Sequence, residues 1–449
     1  MLEKNSLDLL RQALGKLDDG FSSLPPSQAA TLGIDHLAEV LQATAERLQD
    51  NYPYFHPLYA GQMLKPPHPV AWLAYALAQS INPNNHALDG GRASSAMEKE
   101  AVSELAKMFG WTEHLGHLAS GGTMANLEAL WVAGQLNPGK SVLASEQAHY
   151  THYRISSVLR LEFEAVPCDE NARMDVRALE QRLTKGDVGT VVVTMGTTAT
   201  GSVDPLPEIL RLKEKYGFRV HCDAAYGGYF GLANNLGKEA RAAFERIGHA
   251  DSIVIDPHKH GLQPYGCGCV IFQDPDVGRL YRHDSPYTYF SSKELHLGEF
   301  SLECSRPGAA AVALWATQKL LPLEKGGEFA RGLESCRKAA LDFHGRISAD
   351  NRFVAGFTPE LDILVFAPQA ESISEASTLS RKIFGAAAKR NLHLAIAELP
   401  FAFFVAGGMR EDKESLTCLR SVLMKPEHRD WVGRIWEILT EATDEVLRG

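Results

Sequence analysis

The side chain best placed to do covalent chemistry is Lys259, which lies in the stretch SIVIDPHKHG from Ser252 to Gly261. Residues 252–256 are apolar enough to predict a short buried strand, and Pro257 ends it because proline cannot donate to a sheet ladder. Open α/β sheets hold their ligands past the carboxyl ends of their strands. A partly buried lysine there can form a Schiff base, whereas a surface lysine on a loop is the ordinary alternative.

Two further side chains follow predicted strands. Asp223 ends FRVHCD and is followed by the small residues AAYGG, so its carboxylate can approach a flat ring and hold a ring nitrogen protonated. His149 follows SVLAS, and its imidazole can stack on a ring or transfer a proton. The alternatives are a capping aspartate and a loop histidine without a ligand.

A turn with Gly121 and Gly122 precedes Thr123 and a predicted helix. Free amides at a helix start, together with a threonine hydroxyl, make an anion site suited to phosphate, although an ordinary N-cap is equally compatible with the turn. The chain contains no GxxxxGK[ST] loop. Thr197 and Thr198 end another predicted strand, and we expect both hydroxyls to face the same crevice. Together these features on successive strand ends indicate one ligand site.

The elements that must position these residues alternate between strand and helix from Ser94 onward. Continuous rather than alternating apolar strands predict a sheet that is covered on both faces, so we expect a mostly parallel, doubly wound α/β domain. The predicted strands are Ser141–Ser145, Thr190–Met195, Phe218–Asp223, Ser252–Asp256 and Cys269–Phe272.

We expect three parts: an N-terminal helical arm at residues 1–75, a large ligand-binding domain at 76–325 and a smaller α+β domain at 326–449. The arm contains two predicted helices, Leu7–Leu17 and Ile34–Leu48, separated by the breaker SSLPPSQ. The last part is predicted to form helices at Gly327–Ile347 and Trp431–Leu447, and strands at Leu361–Phe366, His393–Ala397 and Leu419–Leu423.

The composition limits the possible partners. The 449 residues are 45% hydrophobic and 22% charged, with a net charge of -10, which is typical of a soluble globular protein and argues against nucleic acid or an anionic membrane as partner. The first residues do not resemble a signal peptide, and no apolar run has membrane-spanning length. Seven scattered cysteines suit a reducing cytoplasm, and the Cys267–Cys269 spacing lacks a second ligand pair for zinc.

The chain resembles the pyridoxal-phosphate-dependent group II decarboxylases of the aspartate aminotransferase fold. The resemblance lies in SGGTMANLEAL, QAHYTHYR, GTTATGSVDP, HCDAAYGG and DPHKHG, and it covers roughly residues 54–320. DPHKHGLQPYGCG is more similar to archaeal-type tyrosine or aspartate decarboxylases and to sphingosine-phosphate lyases than to animal aromatic decarboxylases. The resemblance implies a fold type I protein with a large and a small domain, pyridoxal 5'-phosphate as cofactor, and a homodimer with its active site at the interface.

The resemblance also implies a role for each matching residue around the cofactor ring. Lys259 would form the internal aldimine, Asp223 would pair with the pyridinium nitrogen, and His149 would stack on the ring. Ala225 would pack on the opposite face, and Thr198 would lie near the ring substituents.

The phosphate would be held by the glycine turn, Thr123 and His258; the turn contributes Gly121 and Gly122. One position departs from the family, which often has asparagine or serine where this chain has Asp256. Because a carboxylate repels a phosphate, we expect the Asp256 side chain to point away from it.

Two further segments are weaker candidates by resemblance. ECSRPG matches the place where a dimer partner completes the site, so Ser305 and Arg306 are candidates for phosphate or carboxylate contact. The loop RHDSPYTYFSS offers Tyr287 and Tyr289 as the residue that protonates the substrate carbon. Two packing aromatics are the alternative for this loop.

The predicted function is decarboxylation of an L-amino acid to a primary amine and carbon dioxide. The alternatives are a carbon–carbon lyase that acts on an amino-alcohol phosphate with the same cofactor, and a catalytically silent protein that binds the cofactor. The substrate stays open among tyrosine, other aromatic acids, aspartate and glutamate. Tyr54, Phe55 and Tyr59 can form an aromatic pocket, and Arg306 or Arg420 can receive a second carboxylate.

Overall fold

The computed structural model describes residues 4–25, 34–281, 297–404 and 408–448. Within these ranges the chain forms one sheet of seven strands and one of four. The strands are β1 Leu115–Ala119, β2 Ser141–Ser145, β3 Phe163–Val166, β4 Val188–Thr194, β5 Arg219–Asp223, β6 Ser252–Ile255, β7 Gly268–Phe272, β8 Phe353–Ala355, β9 Ile363–Pro368, β10 Ala395–Pro400 and β11 Ser415–Val422. The α-helices of the same ranges are α1 Lys4–Asp19, α2 Ile34–Leu48, α3 Pro69–Gln79, α4 Arg92–Met108, α5 Gly122–Leu136, α6 Thr151–Leu159, α7 Val176–Leu183, α8 Leu206–Tyr216, α9 Lys238–Glu245, α10 Gly308–Leu320, α11 Glu328–Ser348, α12 Ile373–Lys389 and α13 His428–Arg448.

The larger sheet has the strand order β1-β7-β6-β5-β4-β2-β3. Neighbours from β6 through β3 pair in parallel, whereas β7 runs antiparallel to both β6 and β1. Parallel neighbours need crossover connections, and α6, α7, α8 and α9 supply them. Strands β2, β4, β6 and β7 are buried along their whole length, as expected when helices cover both faces. The prediction of a mostly parallel, doubly wound α/β sheet is confirmed.

One edge of this sheet collects the strand ends that matter for chemistry. The parallel strands β2, β4, β5 and β6 end at Ser145, Thr194, Asp223 and Ile255, so the loops that follow them leave the sheet side by side. β1 ends at the same edge, because β7 is antiparallel to both β1 and β6. Helix α5 begins at Gly122, just after β1, and its first turn therefore lies at this edge.

Two strands of the larger sheet were not predicted. β1 has the sequence LGHLA, in which Gly116 and His117 interrupt the apolar run. Gly116 is required there, since a Cβ would lie 2.9 Å from the carbonyl oxygen of Val270 on β7. Both strands lie at the edges of the sheet, and the middle residues of β3, Glu164 and Ala165, are exposed. Neither strand therefore carries the continuous apolar signal of a central strand.

The smaller sheet has the strand order β10-β11-β9-β8 and is antiparallel throughout. Helices α11, α12 and α13 cover it, and Phe343, Phe366, Ile435 and Leu439 lie in their shared core. The strands at β9, β10 and β11 were predicted with ends shifted by a few residues, while the three-residue β8 was missed. This part of the chain is the α+β unit that the sequence predicts.

The N-terminal helices are exposed to solvent. No residue of α2 is buried, although the helix carries a series of large apolar side chains. Those that are exposed on it are Ile34, Leu37, Val40, Leu41 and Leu48. These side chains are available for contact with another protein surface. Among the described helices, none combines the length and the apolar character needed to cross a membrane.

Candidate active site

A cavity of about 320 Å³ opens at the edge where the parallel strands end. Nine residues that the sequence singled out line it: Gly121, Gly122, Thr123, His149, Thr198, Asp223, Ala225, His258 and Lys259. Several lining residues were not predicted, and among them are Asn126, Thr151, Thr194, Tyr226 and Asp256. The volume is in the range of sites for small molecules.

Lys259 lies just past the end of β6, with its side chain 20% exposed. Its Nζ is 3.1 Å from Asp256 Oδ2, and the Lys259 N–H donates to the Asp256 carbonyl at 2.9 Å. The expectation that Asp256 points away from the site is wrong, because its carboxylate lies in the cavity, also 3.6 Å from His258 Nε2. The Lys259 ammonium stabilises this nearly buried carboxylate, which would otherwise be costly to desolvate.

The glycine turn approaches Asp256 closely. A Cβ on Gly122 would lie 2.7 Å from Asp256 Oδ2, and a Cβ on Gly268 would lie 2.5 Å from the Gly121 backbone. Glycine is therefore required at both places. The amides at the start of α5 have no acceptor within the helix, so they form a cradle for an anion at the positive end of the helix dipole.

Asp223 is held by two hydrogen bonds at the end of β5. Its Oδ1 accepts the Ala225 N–H at 3.1 Å, and its Oδ2 accepts from His152 Nε2 at 2.8 Å. Burial alone would raise the pKa of the Asp223 carboxyl, but the hydrogen bond from His152 and the charges of His152 and Lys259 outweigh burial and lower it. Asp223 is thus a carboxylate that stays ionised inside the cavity.

His152 was missed in the sequence although it lies in QAHYTHYR, three residues after His149. It is fully buried on α6, so it does not line the cavity but contacts Asp223 from behind. No sequence signal separates it from His149, because its contact with Asp223 joins residues 71 positions apart in the chain.

His149 lies at the start of α6 with one ring nitrogen already occupied. The Thr151 N–H donates to His149 Nδ1 at 3.2 Å, so Nδ1 is unprotonated and Nε2 is free to carry the proton. Burial, together with the charges of Lys259 and His152, lowers the pKa of His149 against the opposing effect of Asp223. The imidazole at the cavity is therefore neutral near pH 7.

The two threonines that follow β4 lie in different surroundings. Thr198 lines the cavity, and its carbonyl accepts from Arg420 Nη2 at 2.6 Å. Thr197 does not face the crevice, so that expectation is wrong: its hydroxyl is buried and lies 2.7 Å from Thr200 Oγ1, inside the turn that reverses the chain. Thr194, at the end of β4, lines the cavity instead.

The segment ECSRPG lies outside this cavity. Arg306 is buried, with its Nη1 2.8 Å from Glu98 Oε1 and donating to the Leu118 carbonyl, and it does not line the cavity. Its predicted contact with a phosphate or a carboxylate stays a prediction. Ser305 is exposed, and its hydroxyl oxygen accepts from Asn84 Nδ2 at 3.2 Å. Its predicted contact with the phosphate of a partner subunit stays a prediction.

The remaining aromatic candidates do not line the cavity among the described residues. Tyr287 and Tyr289 lie outside the described ranges. Tyr54 and Tyr59 pack edge to face, with ring centroids 4.9 Å apart, and Phe55 lines a different cavity. An aromatic substrate pocket built from these three residues is therefore not formed within the described chain.

The cavity combines the groups that pyridoxal phosphate requires. An amine at Lys259 can bond its aldehyde, the Asp223 carboxylate can face its ring nitrogen, and the amides of Gly122 and Thr123 can receive its phosphate. Gly122 and Thr123 line the cavity, so their amides lie at its surface. The residues present therefore fit this cofactor.

Comparison with known proteins agrees with this reading of the cavity. The family model for the pyridoxal-dependent decarboxylase conserved domain matches residues 39–368. An L-tyrosine decarboxylase of Enterococcus faecium is 28% identical over 405 residues, covering 68% of this chain and 66% of that protein. An L-aspartate decarboxylase of Thermococcus kodakarensis is 31% identical over 288 residues, covering 63% of this chain and 73% of that protein. The match to the tyrosine decarboxylase thus spans just under two thirds of its length.

Solved structures share the fold. Oryza sativa TDC with PLP and tryptamine superposes with a TM-score of 0.77 at 18% identity and covers 99% of both chains. Mouse CSAD in apo form gives the same score at 18% identity and covers 97% of this chain and 99% of that one. The predicted resemblance and the fold type I class are confirmed. The chain therefore belongs to the pyridoxal-dependent decarboxylase family, and its cofactor is pyridoxal phosphate.

Proposed function

We propose that this protein decarboxylates an L-amino acid, giving a primary amine and carbon dioxide. The observation that carries the proposal is the placement of Lys259 and an ionised Asp223 in one cavity beside the first turn of α5. Family membership supports the same chemistry, since its characterised relatives include tyrosine and aspartate decarboxylases.

Pyridoxal phosphate, when bound, supplies an electron sink for the bond that is held perpendicular to its ring. Lys259 would hold the cofactor through its side-chain amine. Asp223 would face the ring nitrogen and favour its protonated form, because His152 and the Ala225 amide hold the Asp223 carboxylate ionised and fixed in direction. His149 is neutral and flat, which suits a ring-stacking partner.

In the reaction the bond between the α-carbon and the carboxylate breaks, and the carboxylate leaves as carbon dioxide. The electron pair that remains is captured by one proton at the α-carbon. Lys259, and His149 when it carries a second proton, are the residues of the described cavity that we propose as the source of this proton. A loop tyrosine, Tyr287 or Tyr289, remains our further proposal for this step.

We propose an aromatic amino acid, such as tyrosine, as the substrate. A second carboxylate would need a cation, and no arginine lines the described cavity. Arg420 is the nearest candidate, but it donates to the carbonyls of Thr198, Ala199 and Gly61, and Arg306 is paired with Glu98. Aspartate, on which some relatives act, is the second candidate.

We further propose a homodimer whose partner completes the site. The exposed apolar side chains of α2 support it, because an isolated helix of this kind gains stability only by covering that surface. Ser305 is the proposed contribution to the phosphate site of the other subunit. It is exposed, and its segment contacts the glycine turn, because the Ser120 N–H donates to the Glu303 carboxylate at 2.8 Å.

The boundaries at residues 75 and 325 are our proposal for the domains.

A reducing cytoplasm is the proposed location. The support is that all seven cysteines are free thiols, among them the buried Cys222, Cys267 and Cys269.

The test is to incubate the purified protein and pyridoxal phosphate with tyrosine, phenylalanine, aspartate and glutamate in turn, trapping carbon dioxide and identifying the amine. We expect tyramine from tyrosine, no activity in Lys259→Ala, and full activity in Lys338→Ala, an exposed lysine on α11. Cofactor binding without carbon dioxide from any amino acid would contradict the proposal and favour the silent protein. An aldehyde released from an amino-alcohol phosphate would favour the carbon–carbon lyase.

A further inference from the structure

A second cavity, of about 500 Å³, is larger than the catalytic one and shares none of its lining residues. Three segments that are distant in sequence form most of its wall, at residues 55–69, 321–336 and 425–427. His260, the neighbour of Lys259 in sequence, lines it too, so the two cavities lie on either side of one short loop.

Much of this wall is apolar. Pro66 and Pro67 come from the N-terminal segment, Leu262 from the lysine loop, and Leu321 and Phe329 from the segment around the start of α11. A cavity with such walls suits the body of a small organic molecule, and polar groups at a few points would then fix its orientation.

The charged groups inside the cavity are two lysines without a counter-ion. Lys65 Nζ donates to the Met424 carbonyl at 3.3 Å, and Lys425 Nζ donates to the Tyr59 carbonyl at 2.7 Å. Among the described residues, neither ammonium has a carboxylate oxygen within 4.0 Å. Each ammonium has three donors and uses one of them in these contacts.

The two ammonium groups also repel each other, and each disfavours the protonated form of the other. Burial and the charge of Lys65 lower the pKa of Lys425 to about 8, and burial lowers the pKa of Lys65 as well. A group with a pKa of about 8 is still mostly protonated at pH 7. The cavity therefore holds positive charge that is only partly compensated, and an anion between the two lysines would relieve it.

Two carboxylates, Glu328 and Glu427, belong to the same cavity wall together with Arg331. All three residues are exposed, so they lie at the rim, whereas Lys425 is 3% exposed. Water screens charges at the rim far more strongly than charges inside. The buried Asp362 carboxylate, which does not line the cavity, offsets part of the Lys65 charge. Two ammonium groups against one buried carboxylate leave the interior net positive, although the rim carries both signs.

We propose that this second cavity binds a small organic anion, a carboxylate with an apolar or aromatic body. Lys65 and Lys425 hold the carboxylate, and the prolines, Leu262 and Phe329 contact the body. The site is separate from the catalytic cavity and does not depend on the substrate proposed above.

Phenylacetate is the probe for the test, because it has one carboxylate and one small aromatic body. It is titrated calorimetrically into the holoenzyme and into Lys65→Gln, Lys425→Gln and the control Lys338→Gln, which removes an exposed lysine of α11 outside the cavity. We expect the wild type and the control to bind alike, and each cavity variant to bind at least tenfold more weakly. Equal binding by all four proteins would overturn the proposal, as would absence of binding to the wild type.

Ser335→Trp is the second variant. It tests the proposal independently in case the lysine variants fail to fold. Ser335 lines the cavity on α11 and bonds only the Arg331 carbonyl of its own helix among the described residues, so an indole there fills the space without removing a charge. We expect a folded protein, by circular dichroism, that no longer binds phenylacetate. A folded Ser335→Trp that binds like the wild type would place the ligand elsewhere, including in the catalytic cavity, and would contradict the proposal.

Discussion

The two cavities differ in whether their charged side chains have partners of opposite charge. In the catalytic cavity each charge has a partner of opposite or complementary character, since Lys259 faces Asp256 at 3.1 Å and Asp223 accepts from His152 at 2.8 Å. In the second cavity Lys65 and Lys425 have backbone carbonyls as hydrogen-bond partners, Lys425 also lies over the Tyr59 ring at 5.3 Å, and neither has a carboxylate within ion-pair distance among the described residues. The first arrangement is organised before any ligand arrives, whereas the second lacks an anion.

This difference explains why only one cavity is visible in the sequence. The catalytic side chains follow consecutive strands, and each lies in a short motif whose glycines, prolines and strand end predict its place. The second cavity is formed by residues 55–69, 321–336 and 425–427, which meet only after the chain has folded. No local pattern brings Lys65 to Lys425.

Asp223→Ala should have the largest effect among the variants that break the paired charges. Without the carboxylate the ring nitrogen loses its proton, and the electron sink is weakened. We expect kcat to fall by about 100- to 1,000-fold, as for loss of one preorganised electrostatic group. Steady-state kinetics with the substrate found above measure it, and a variant with kcat near that of the wild type would remove Asp223 from the mechanism.

His152→Ala should have a smaller effect, because His152 acts through Asp223. We expect a loss in kcat of roughly 10- to 100-fold, typical of residues that orient a ligand-contacting group. The absorbance of the bound cofactor should also titrate at a different pH. His152→Gln, which keeps a donor, should recover part of the activity, and the exposed His36→Ala should change nothing. Equal loss in the Gln and Ala variants would indicate a merely structural role.

Gly122→Ala tests the close approach of the glycine turn. Its new Cβ would lie 2.7 Å from Asp256 Oδ2, so the turn must shift and the phosphate cradle with it. We expect the affinity for pyridoxal phosphate to fall by about tenfold, or ~1.4 kcal/mol. Gly433→Ala on α13, where no atom lies within 4 Å of the new Cβ, is the matched control and should bind the cofactor normally. Normal cofactor binding by both variants would contradict this account of the turn.

The last prediction concerns stability rather than activity, and it compares a buried histidine near each cavity. Burial lowers the pKa of His221 and of His428 to about 3 from the ordinary 6.5. Below pH 6.5 the unfolded chain binds protons that the folded chain does not, so stability falls as the pH drops from 6.5 towards 3. Each histidine contributes at most about 1.4 kcal/mol per pH unit.

Urea unfolding at several pH values measures this dependence. His428→Gln should flatten the slope, and the exposed His36→Gln should leave it as in the wild type. A slope that is unchanged in His428→Gln would show that His428 is protonated in the folded protein.

The sequence predicted the fold and the gathering of site residues because both follow from local patterns. Buried strands of continuous apolar residues require a covered sheet, and parallel strands bring Lys259, Asp223 and His149 to one edge. What it could not predict depends on distant partners. Arg306 is paired with Glu98, 208 positions away in the chain, and Asp256 faces inward because Lys259 neutralises it.

The Thr197 side chain was predicted wrongly for a different reason. A turn, rather than the strand before it, determines where that side chain lies. Its side chain was expected in the crevice beside that of Thr198, but the chain reverses there, and Thr197, Thr200 and Ser202 bond one another instead. A hydroxyl next to a tight turn has these local acceptors available, and a strand pattern does not reveal them.

The most direct test of the central claim is to find the lysine that bonds the cofactor. The protein is loaded with pyridoxal phosphate, reduced with borohydride, digested, and mapped by mass spectrometry. We predict that the added mass lies on the peptide with Lys259 and is absent in Lys259→Ala. Modification of Lys65 or Lys425 instead, or of no lysine, would contradict the assignment of the catalytic cavity.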